Sequence, residues 1–446
     1  MRPISFLLLV ALAAVVPRSA PASIALDPRF GSDGSVTLGF DPVGTSPDTS
    51  DQGIVSCAGP LGSLISAGLA SGGQRVVVTW LTEAGVLDTR FSVDGKETIP
   101  IVDGRAYIAT GLCLPSGKIL LVYSRFDPDV ATAPDWLVFV RIDPATGLPD
   151  PAFGDAGQRL IDVGSLSAGV NLVRVIRALG VTPQGDLLAV GYHAPVDAPA
   201  RSGLILKLSA DGDVLARNVQ TVYSDSIVWY AAVGTTQDGT IWIGGTRRLP
   251  SEARLGFVLR VDADSFNVID VPYPQLDGDF AISGGRMLGG DRMLISGRRH
   301  TSKKPLVAIV TSDHAQVLEL PVPSLSGGAP GTIVGIQEFP TQVAQMDNGD
   351  VLFAGSATEG SFDRGVYLAQ LSLGSGSLLR LDMGGVSVLR ALPAGCAGRG
   401  SAFRRFTLWA GRPTVIGSTS TTCGAPENVD YLIQRVELSL FEDSFE

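Results

Sequence analysis

Two loops of the sequence carry dense clusters of cationic side chains. The segments TRRLPSEAR (246–254) and GRRHTSKK (297–304) each follow a short β-rich run, although the chain as a whole has a net charge of −10 at pH 7. Their cationic side chains are Arg247, Arg248, Arg254, Arg298, Arg299, His300, Lys303 and Lys304. Arginine forks bind carboxylate, sulfate or phosphate bidentately, and clustering concentrates the local potential. The pattern predicts a site for an anionic ligand; the alternative is two exposed loops that carry soluble side chains.

Other arrangements that could perform chemistry are sparse. The three histidines, His193, His300 and His314, are far apart in sequence, and we expect each in a surface loop. A zinc site or a Ser-His-Asp triad would need a histidine beside further ligands or acids. Paired aspartates such as Asp262 and Asp264 lack the spacing of an EF-hand loop and are expected to shape turns. The sequence therefore predicts no catalytic residue, no metal site and no cofactor.

The N-terminus indicates export. Arg2 precedes the apolar run ISFLLLVALAAVV (4–16), and the small-residue pattern Ala20-Pro21-Ala22 follows. This run is too short to span a bilayer as a mature helix, and the order of features is that of a signal peptide. We predict a signal peptide over residues 1–22 and a secreted or periplasmic bacterial protein without a transmembrane segment; a buried N-terminal helix is the alternative. The acidic balance excludes nucleic acid as a partner.

A repeat organises the rest of the chain. Turn glycines precede short β-rich runs about every 58 residues, and they are Gly62, Gly117, Gly185, Gly239, Gly290, Gly349 and Gly411. A third strand and then a fourth follow in each unit, except that the chain ends after the last third strand (431–437). The missing strand is found at the N-terminus, in residues 35–40. This offset predicts a ring that closes with its N-terminal strand in the last unit and leaves no free edge.

The predicted fold is therefore all-β, a single β-propeller of seven four-stranded blades. It occupies residues 23–439, and residues 440–446 form a short tail. A two-domain β-sandwich protein and a β-solenoid are the competing architectures, but neither repeats at this constant spacing. One position of the third strand repeatedly carries a long polar side chain, which we expect to be partly solvated. These side chains are Arg141, Lys207, Arg260, Gln370 and Arg435.

A motif in the first units carries a family resemblance. It appears as LDPRFGSDG (26–34), VLDTRFSVDG (86–95) and, more loosely, LPDPAFGDAG (148–157), and it combines with runs such as SGKILLV (116–122). The chain in this respect resembles the delta-60 repeat of secreted bacterial β-propeller-like proteins. The terminal LFEDSFE (440–446) is similar to a short tail of many secreted gammaproteobacterial proteins. The resemblance implies an exported propeller and no established activity.

The four cysteines fit an oxidising compartment. Cys396 precedes the first strand of the last unit and Cys423 follows its second strand, positions that share a face of a blade, so we predict a disulfide between them. Cys57 and Cys113 occupy comparable places in the innermost strands of neighbouring units and are predicted to form the other pair. Free buried thiols are the alternative.

Two functional classes remain. The first is a non-enzymatic, monomeric binding protein whose candidate ligand is an acidic glycan or another anionic component of the cell envelope. The second is a hydrolase or lyase that acts on a polysaccharide or small molecule at the mouth of the central channel. Carboxylates that converge with an arginine or histidine at that mouth would favour the second class.

Overall fold

Short β-rich runs between turn glycines form almost all of the regular structure, which is a seven-bladed β-propeller as predicted. The computed structural model describes residues 24–40, 51–126, 136–162, 172–195, 201–220, 227–288, 291–322, 335–346, 349–359, 362–373, 381–389, 402–420 and 429–438. Within each blade, consecutive strands are antiparallel neighbours, and the first strand of each lies at the central channel. None of the described residues forms a helix long and apolar enough to cross a membrane.

The strands are introduced here in chain order. The first two are β1 (Ile24–Leu26) and β2 (Ser35–Leu38). Blades 1 to 3 contain β3 (Gln52–Ala58), β4 (Leu64–Ala70), β5 (Arg75–Leu81), β6 (Lys96–Pro100), β7 (Arg105–Cys113), β8 (Ile119–Phe126), β9 (Trp136–Ile142), β10 (Gln158–Asp162), β11 (Leu172–Val181), β12 (Leu187–Pro195), β13 (Ser202–Leu208) and β14 (Val214–Gln220). Two short 3₁₀ turns, Pro60–Gly62 and Ser71–Gly73, lie in blade 1.

The remaining blades repeat this order. Blades 4 to 6 contain β15 (Ile227–Thr235), β16 (Ile241–Arg248), β17 (Arg254–Val261), β18 (Val268–Tyr273), β19 (Phe280–Leu288), β20 (Arg292–Arg299), β21 (Pro305–Val310), β22 (Ala315–Glu319), β23 (Gly335–Gln345), β24 (Val351–Glu359), β25 (Phe362–Leu373) and β26 (Leu381–Leu389). Blade 7 contains β27 (Ala402–Trp409), β28 (Arg412–Ser420) and β29 (Val429–Leu438).

The glycines before the second strands form the tight turns that the sequence predicts. Gly185 and Gly239 have φ values of 91° and 90°, a left-handed conformation that side chains with a Cβ rarely adopt. Their amide groups donate to the carbonyl oxygens of Thr182 and Thr236 at 2.9 and 3.1 Å, which closes each turn. The 58-residue repeat is thus a repeat of hairpins.

The ring closes through the N-terminal strands. Strand β2 pairs antiparallel with β29, from Ser35 opposite Gln434 to Leu38 opposite Tyr431, which confirms the predicted closing strand. Strand β1, which the sequence analysis did not predict, continues along the same edge of β29, with Leu26 opposite Val436. The edge of the last blade is therefore covered along most of its length.

Between β1 and β2, the LDPRFGSDG loop (26–34) folds against β29 around one buried carboxylate. Asp27 accepts hydrogen bonds from Nε of Arg435 at 2.9 Å, from Nε of Arg29 at 3.0 Å, and from Arg412. The Arg435 guanidinium lies 4.9 Å from the ring centroid of Phe30. The first Asp and the Phe of the motif thus hold the same arginine from two sides.

The second and third copies of the motif use the same plan with one substitution. In blade 2, Arg141 donates to Asp150 at 2.6 Å and lies 4.9 Å from the Phe153 ring. In blade 1, Trp80 takes the place of the arginine and stacks on Phe91 at 5.8 Å. The expected partial solvation of the third-strand position is wrong for Arg141, Arg435 and Gln370, which are 6%, 2% and 3% exposed. The motif buries the two arginines in ion pairs, and Gln370 donates to Asp350 at 2.7 Å.

The motif also joins neighbouring blades. The amide of Gly31 donates to the carbonyl of Ala84 in blade 1, and the amide of Gly154 donates to that of Asp211 in blade 3, each at 2.8 Å. Between blades 1 and 2, the Trp80 indole donates to the carbonyl of Pro144 at 3.0 Å. Hydrogen bonds at the three motif copies therefore link four consecutive blades, namely blades 7, 1, 2 and 3.

Candidate functional site

The two predicted cationic loops lie on the same face of the propeller. They are the turns between β16 and β17 and between β20 and β21, the second-to-third-strand turns of adjacent blades 4 and 5. In each blade the turn between the second and third strands lies on the same face as the connection from the preceding blade, so the inner strands begin at this face and end at the opposite one. The sequence predicts that the two cationic loops are side by side because they occupy this same turn in adjacent blades.

Some of the predicted cations are already paired with carboxylates. Arg299 donates to Asp277 at 2.8 Å and to Glu319 at 2.5 Å, and Lys304 donates to Glu319 at 2.6 Å. These contacts connect the turn to β22 and to the segment between β18 and β19. Arg299 and Lys304 are therefore poor candidates for binding a ligand.

Arg248 also has an acidic neighbour, Glu252, within its own turn. Arg247 lies on β16 opposite Leu255, and Lys303 has a left-handed φ of 57° in the turn between β20 and β21. Neither side chain lines the central channel or the cleft between blades 3 and 4. Of the eight predicted cations, Arg248, Arg299 and Lys304 thus have carboxylate partners.

A smaller group does come together. Burial, followed by the charges of Arg254 and Arg298, lowers the pKa of the His300 imidazole. Burial and the charge of Arg254 likewise lower the pKa of Arg298 to about 10. Asp279 is the acidic group that partly offsets these charges. Residues of the two loops therefore share one electrostatic environment across the boundary between blades 4 and 5.

Arg254 also borders a cleft of 210 Å³ between blades 3 and 4. The cleft is lined by Arg177, Tyr192, Arg201, Ile227, Trp229, Arg248 and Arg254. Burial and the charges of Arg248 and, to a smaller extent, Arg201 lower the pKa of the Arg254 guanidinium. The cleft thus brings together arginines from two blades and contains no Asp or Glu among its described lining residues.

Two buried aromatic rings hold these arginines. The guanidinium groups of Arg201 and Arg177 lie 4.8 and 5.7 Å from the centroid of the Tyr192 ring. The Arg254 guanidinium lies 5.4 Å from the Trp229 ring. A cation over an aromatic face is attracted by the ring quadrupole, which fixes the arginine without neutralising its charge. The arginines are therefore positioned before a ligand arrives.

Arg177 and Arg201 were not predicted from the sequence. Arg201 directly precedes β13, as Arg254 begins β17, so an alignment of the third strands could have found it. Arg177 occupies a β-bulge between Ile176 and Ala178, and no pattern in the sequence marks that bulge.

Such bulges recur in the inner strands and shape the central channel. Six inner strands carry a bulged residue near the midpoint, and these residues are Ile54, Ile108, Arg177, Ala231, Ser283 and Arg404. All six line a channel cavity of 1020 Å³. A bulge turns a side chain out of the regular alternation of a strand, so the inner strands share this irregularity where they line the channel.

The described channel wall is cationic. Arg177, Arg286, Arg404 and Arg405 line the cavity, and no Asp or Glu is found among its described lining residues. Arg404 donates to the side-chain oxygen of Gln52 at 3.0 Å, and Arg405 donates to the hydroxyl of Thr110 in blade 2. The convergence of carboxylates that would favour the enzyme prediction is not present among these residues.

The histidines and aspartates give a mixed outcome. His314 is exposed in the turn between β21 and β22, and Asp262 accepts from the backbone amides of Asp264 and Ser265 at 3.2 and 2.8 Å, as expected for a turn. The expectation that His193 lies in a surface loop is wrong: it belongs to β12 and is 6% exposed. Among the described residues, no three His, Cys, Asp or Glu side chains group as a metal site.

One predicted disulfide is confirmed. Cys57 and Cys113 are joined, with a Cα–Cα distance of 5.7 Å, and they link the inner strands β3 and β7 of blades 1 and 2. This disulfide fits an exported protein. The predicted Cys396–Cys423 pair lies outside the described residues, as do the predicted signal peptide (1–22) and tail (440–446).

The solved structures that resemble this chain are distant from it in sequence. No protein-family model and no curated protein matches the chain. Among solved structures, the Hadza microbial sialidase Hz136 has a TM-score of 0.47 at 9% identity, over 93% of this chain and 94% of that one. The polysaccharide lyase Uly1 has a TM-score of 0.46 at 10% identity, over 86% and 90% of the two chains. The β-propeller domain of the Trilobed protease from Pyrococcus furiosus, described as having an open velcro topology, has a TM-score of 0.41 at 12% identity, over 86% and 93%.

Proposed function

We propose that this protein is an exported β-propeller that binds an anionic ligand at the arginine cleft between blades 3 and 4, without catalysing a reaction. The observation that carries the proposal is the grouping of Arg177, Arg201 and Arg254 over two aromatic rings in one cleft. Such a concentration of positive charge is unexpected on a chain whose net charge is −10. Arginine forks in this arrangement match carboxylate, sulfate or phosphate groups.

The ligand we favour is an acidic polysaccharide of the cell envelope. The site is a cleft, and a narrow concave site accepts a charged sugar unit more readily than the surface of a bilayer. Aromatic rings preorganise the arginines, so that less side-chain entropy is lost when an acidic sugar binds. A lipid headgroup carries similar chemistry and is tested as the competing source of the anion.

Export is supported by two features of the chain. The N-terminal residues 1–22 have the pattern of a signal peptide, and the Cys57–Cys113 disulfide fits an oxidising compartment. We propose a secreted or periplasmic location on this basis. Membership of the delta-60 repeat proteins is proposed from the three motif copies at 26–34, 86–95 and 148–157. In the first and third copies, the first Asp and the Phe make equivalent contacts, in blades 7 and 2 respectively.

The test is binding of the mature chain, from residue 23, to trigalacturonate at low ionic strength by calorimetry. Maltotriose serves as the neutral control, and vesicles of phosphatidylglycerol serve as the lipid arm. We expect saturable binding of trigalacturonate that weakens with added salt, and no binding of maltotriose. Binding to vesicles alone would overturn the polysaccharide, and binding to neither anionic probe would overturn the proposed function.

Matched variants locate the site. Arg254→Gln and Arg201→Gln should each weaken trigalacturonate binding about tenfold, which corresponds to about 1.4 kcal/mol. Arg299→Gln, in the neighbouring turn, should bind as the unaltered protein does, because Asp277 and Glu319 already engage Arg299. An equal loss in all three variants would indicate general charge attraction and not a site.

The alternative prediction of a hydrolase or lyase has less support. It would need a general acid or a nucleophile at the channel, and the described lining residues offer no carboxylate for either role. It stays an untested prediction.

A further inference from the structure

One position near the start of the third strand is a Lys or Arg in four consecutive blades. In blades 3, 4, 5 and 6 it lies two residues before the third-strand residue that pairs with Tyr192, Thr246, Arg298 and Ser356, respectively. Each of these four second-strand residues directly follows a glycine, which marks them as equivalent in the repeat. Third strands begin at the face that carries the cationic loops, so the position lies on that face. Its occupants, here called the cationic arc, are Arg201, Arg254, Lys303 and Arg364.

The other three blades carry different residues at this position. It is Gln74 in blade 1 and Val429 in blade 7, by the same strand register. In blade 2, the two residues before the third strand are Pro134 and Asp135. Lys and Arg together make up only 34 of the 446 residues, so four in succession at one position are not expected from the composition. The cationic arc therefore marks one side of the ring, from blade 3 to blade 6.

The first two members of the arc belong to the cleft between blades 3 and 4. Arg201 and Arg254 line that cleft, and each guanidinium lies against an aromatic ring. Lys303, in the turn between β20 and β21, is half-buried and lies outside the cleft. Equivalent positions of a propeller are related by one rotation from blade to blade, so the step from Arg254 to Lys303 repeats the step from Arg201 to Arg254. A ligand that extends from the cleft past Arg254 therefore meets Lys303 next.

Acidic side chains of the same turns are held by groups outside the arc. Glu252 pairs with Arg248 within the turn of blade 4. Asp279 accepts hydrogen bonds from the amide and the hydroxyl of Thr301 at 2.9 and 2.5 Å. Glu319 accepts from two cations of its own blade, neither of which belongs to the arc. The carboxylates nearest to the second and third members of the arc are thus fixed by other contacts.

We propose that the ligand of the cleft is a long acidic polysaccharide whose chain continues along the cationic arc, over blade 5 and towards blade 6. This inference rests on the proposed function and specifies its ligand as a polymer. A single acidic sugar fits within the cleft, whereas a chain with a carboxylate on each unit presents negative charge along the whole arc. Once the cleft is occupied, each further contact of the same chain is intramolecular and adds to the affinity.

The test compares trigalacturonate with dodecagalacturonate, using the mature chain and calorimetry at low ionic strength. The longer chain contains about ten overlapping trimers, so statistics alone raise its affinity about tenfold. We expect a gain of about a hundredfold, with a steeper loss of affinity on adding salt because more charges are engaged. If trigalacturonate binds and the gain does not exceed tenfold, the extension along the arc is wrong while the proposed function stands. Absence of binding by either chain would overturn both.

A matched pair of variants tests the path over blade 5. Lys303→Gln should weaken dodecagalacturonate binding by about tenfold and leave trigalacturonate binding unchanged, which also shows that the variant is folded. Lys304→Gln is the control, because it removes the same charge from the neighbouring residue, whose ammonium group is already paired with Glu319. It should bind both chains as the unaltered protein does. Unaltered dodecagalacturonate binding by Lys303→Gln would refute the path, and equal losses in the two variants would show general charge attraction instead.

Discussion

Asp27 and Arg435 are separated by 408 residues and meet where the ring closes, with Arg435 Nε 2.9 Å from Oδ2 of Asp27. Both side chains are buried. Arg412 and Arg29 donate to the same carboxylate, so one negative charge faces three guanidinium groups. The backbone reinforces the contact, because the Asp27 amide donates to the Arg435 carbonyl at 2.9 Å. The first motif copy and the last strand thereby form one closing unit.

Replacing Asp27 should therefore destabilise the ring strongly. Asp27→Asn leaves Arg435 buried without its counter-charge, and we expect the free energy of unfolding to fall by about 3 kcal/mol in urea titrations. Asp88→Asn is the matched control from the second motif copy. Its partner Arg90 belongs to the same turn and is largely exposed, so the loss there should be below about 1 kcal/mol. Equal losses in the two variants would contradict a special role of the closing ion pairs.

The same carboxylate should make stability depend on pH in acid. Burial alone would raise the pKa of Asp27, but hydrogen bonds from Arg29 and the charges of Arg435 and Arg412 lower it to about 2, from 3.8. A lowered pKa stabilises the folded state above the unfolded value, and this stabilisation of about 2 kcal/mol is lost as the pH falls through 3.8 towards 2. Thermal melts between pH 5 and pH 2 should show the difference between the unaltered protein and Asp27→Asn shrinking in that window. A constant difference would show that the ionisation of Asp27 does not contribute.

Deleting residues 24–38 should expose the edge of β29. The deletion removes both closing strands together with Asp27, and an unpaired edge also promotes association between chains. We expect a melting temperature lower by more than 10 °C and aggregation visible in light scattering. Deletion of the predicted tail 440–446 is the control for shortening the chain. An unchanged melting temperature in the 24–38 deletion would mean that the closure does not stabilise the ring.

The sequence predicted the parts of this fold that repeat. Turn glycines and the alternation of strands recur in every unit, so the blade number, the closing strand and the shared face of the cationic loops could be derived. Contacts that occur in one blade only, between residues distant in sequence, could not be derived from the repeat. Arg299 is engaged by Asp277, in the connection between β18 and β19, and by Glu319 on β22, and neither neighbour is close to Arg299 in sequence. The β-bulge at Arg177 likewise follows from strand pairing, and the amino-acid composition around it does not indicate it.

The Cys57–Cys113 disulfide should contribute substantially to stability. It joins the inner strands of blades 1 and 2 and closes a loop with a sequence separation of 56 residues. The chain-entropy relation gives about 4 kcal/mol for a loop of this length. Urea titrations of the Cys57→Ser/Cys113→Ser variant should show a loss of this order. Peptide mapping without reduction should recover Cys57 linked to Cys113, and a Cys57–Cys423 peptide would contradict the structure.

Ligand binding at the cationic face should be coupled to protonation of His300. Burial and the charges of Arg254 and Arg298 lower the pKa of this imidazole below 6.5, so it is neutral at pH 7 in the free protein. A bound anion beside these arginines would offset their charge and raise the pKa of His300. Binding would then take up a proton, and by linkage the affinity for trigalacturonate should increase as the pH falls below about 6.5.

Calorimetry in buffers of different ionisation enthalpy measures that proton directly. His300→Gln should abolish the pH dependence while leaving the affinity at pH 8 unchanged. If His300→Gln keeps the full pH dependence, the anion does not bind within reach of this side chain, and the cleft and the neighbouring loop are separate electrostatic units.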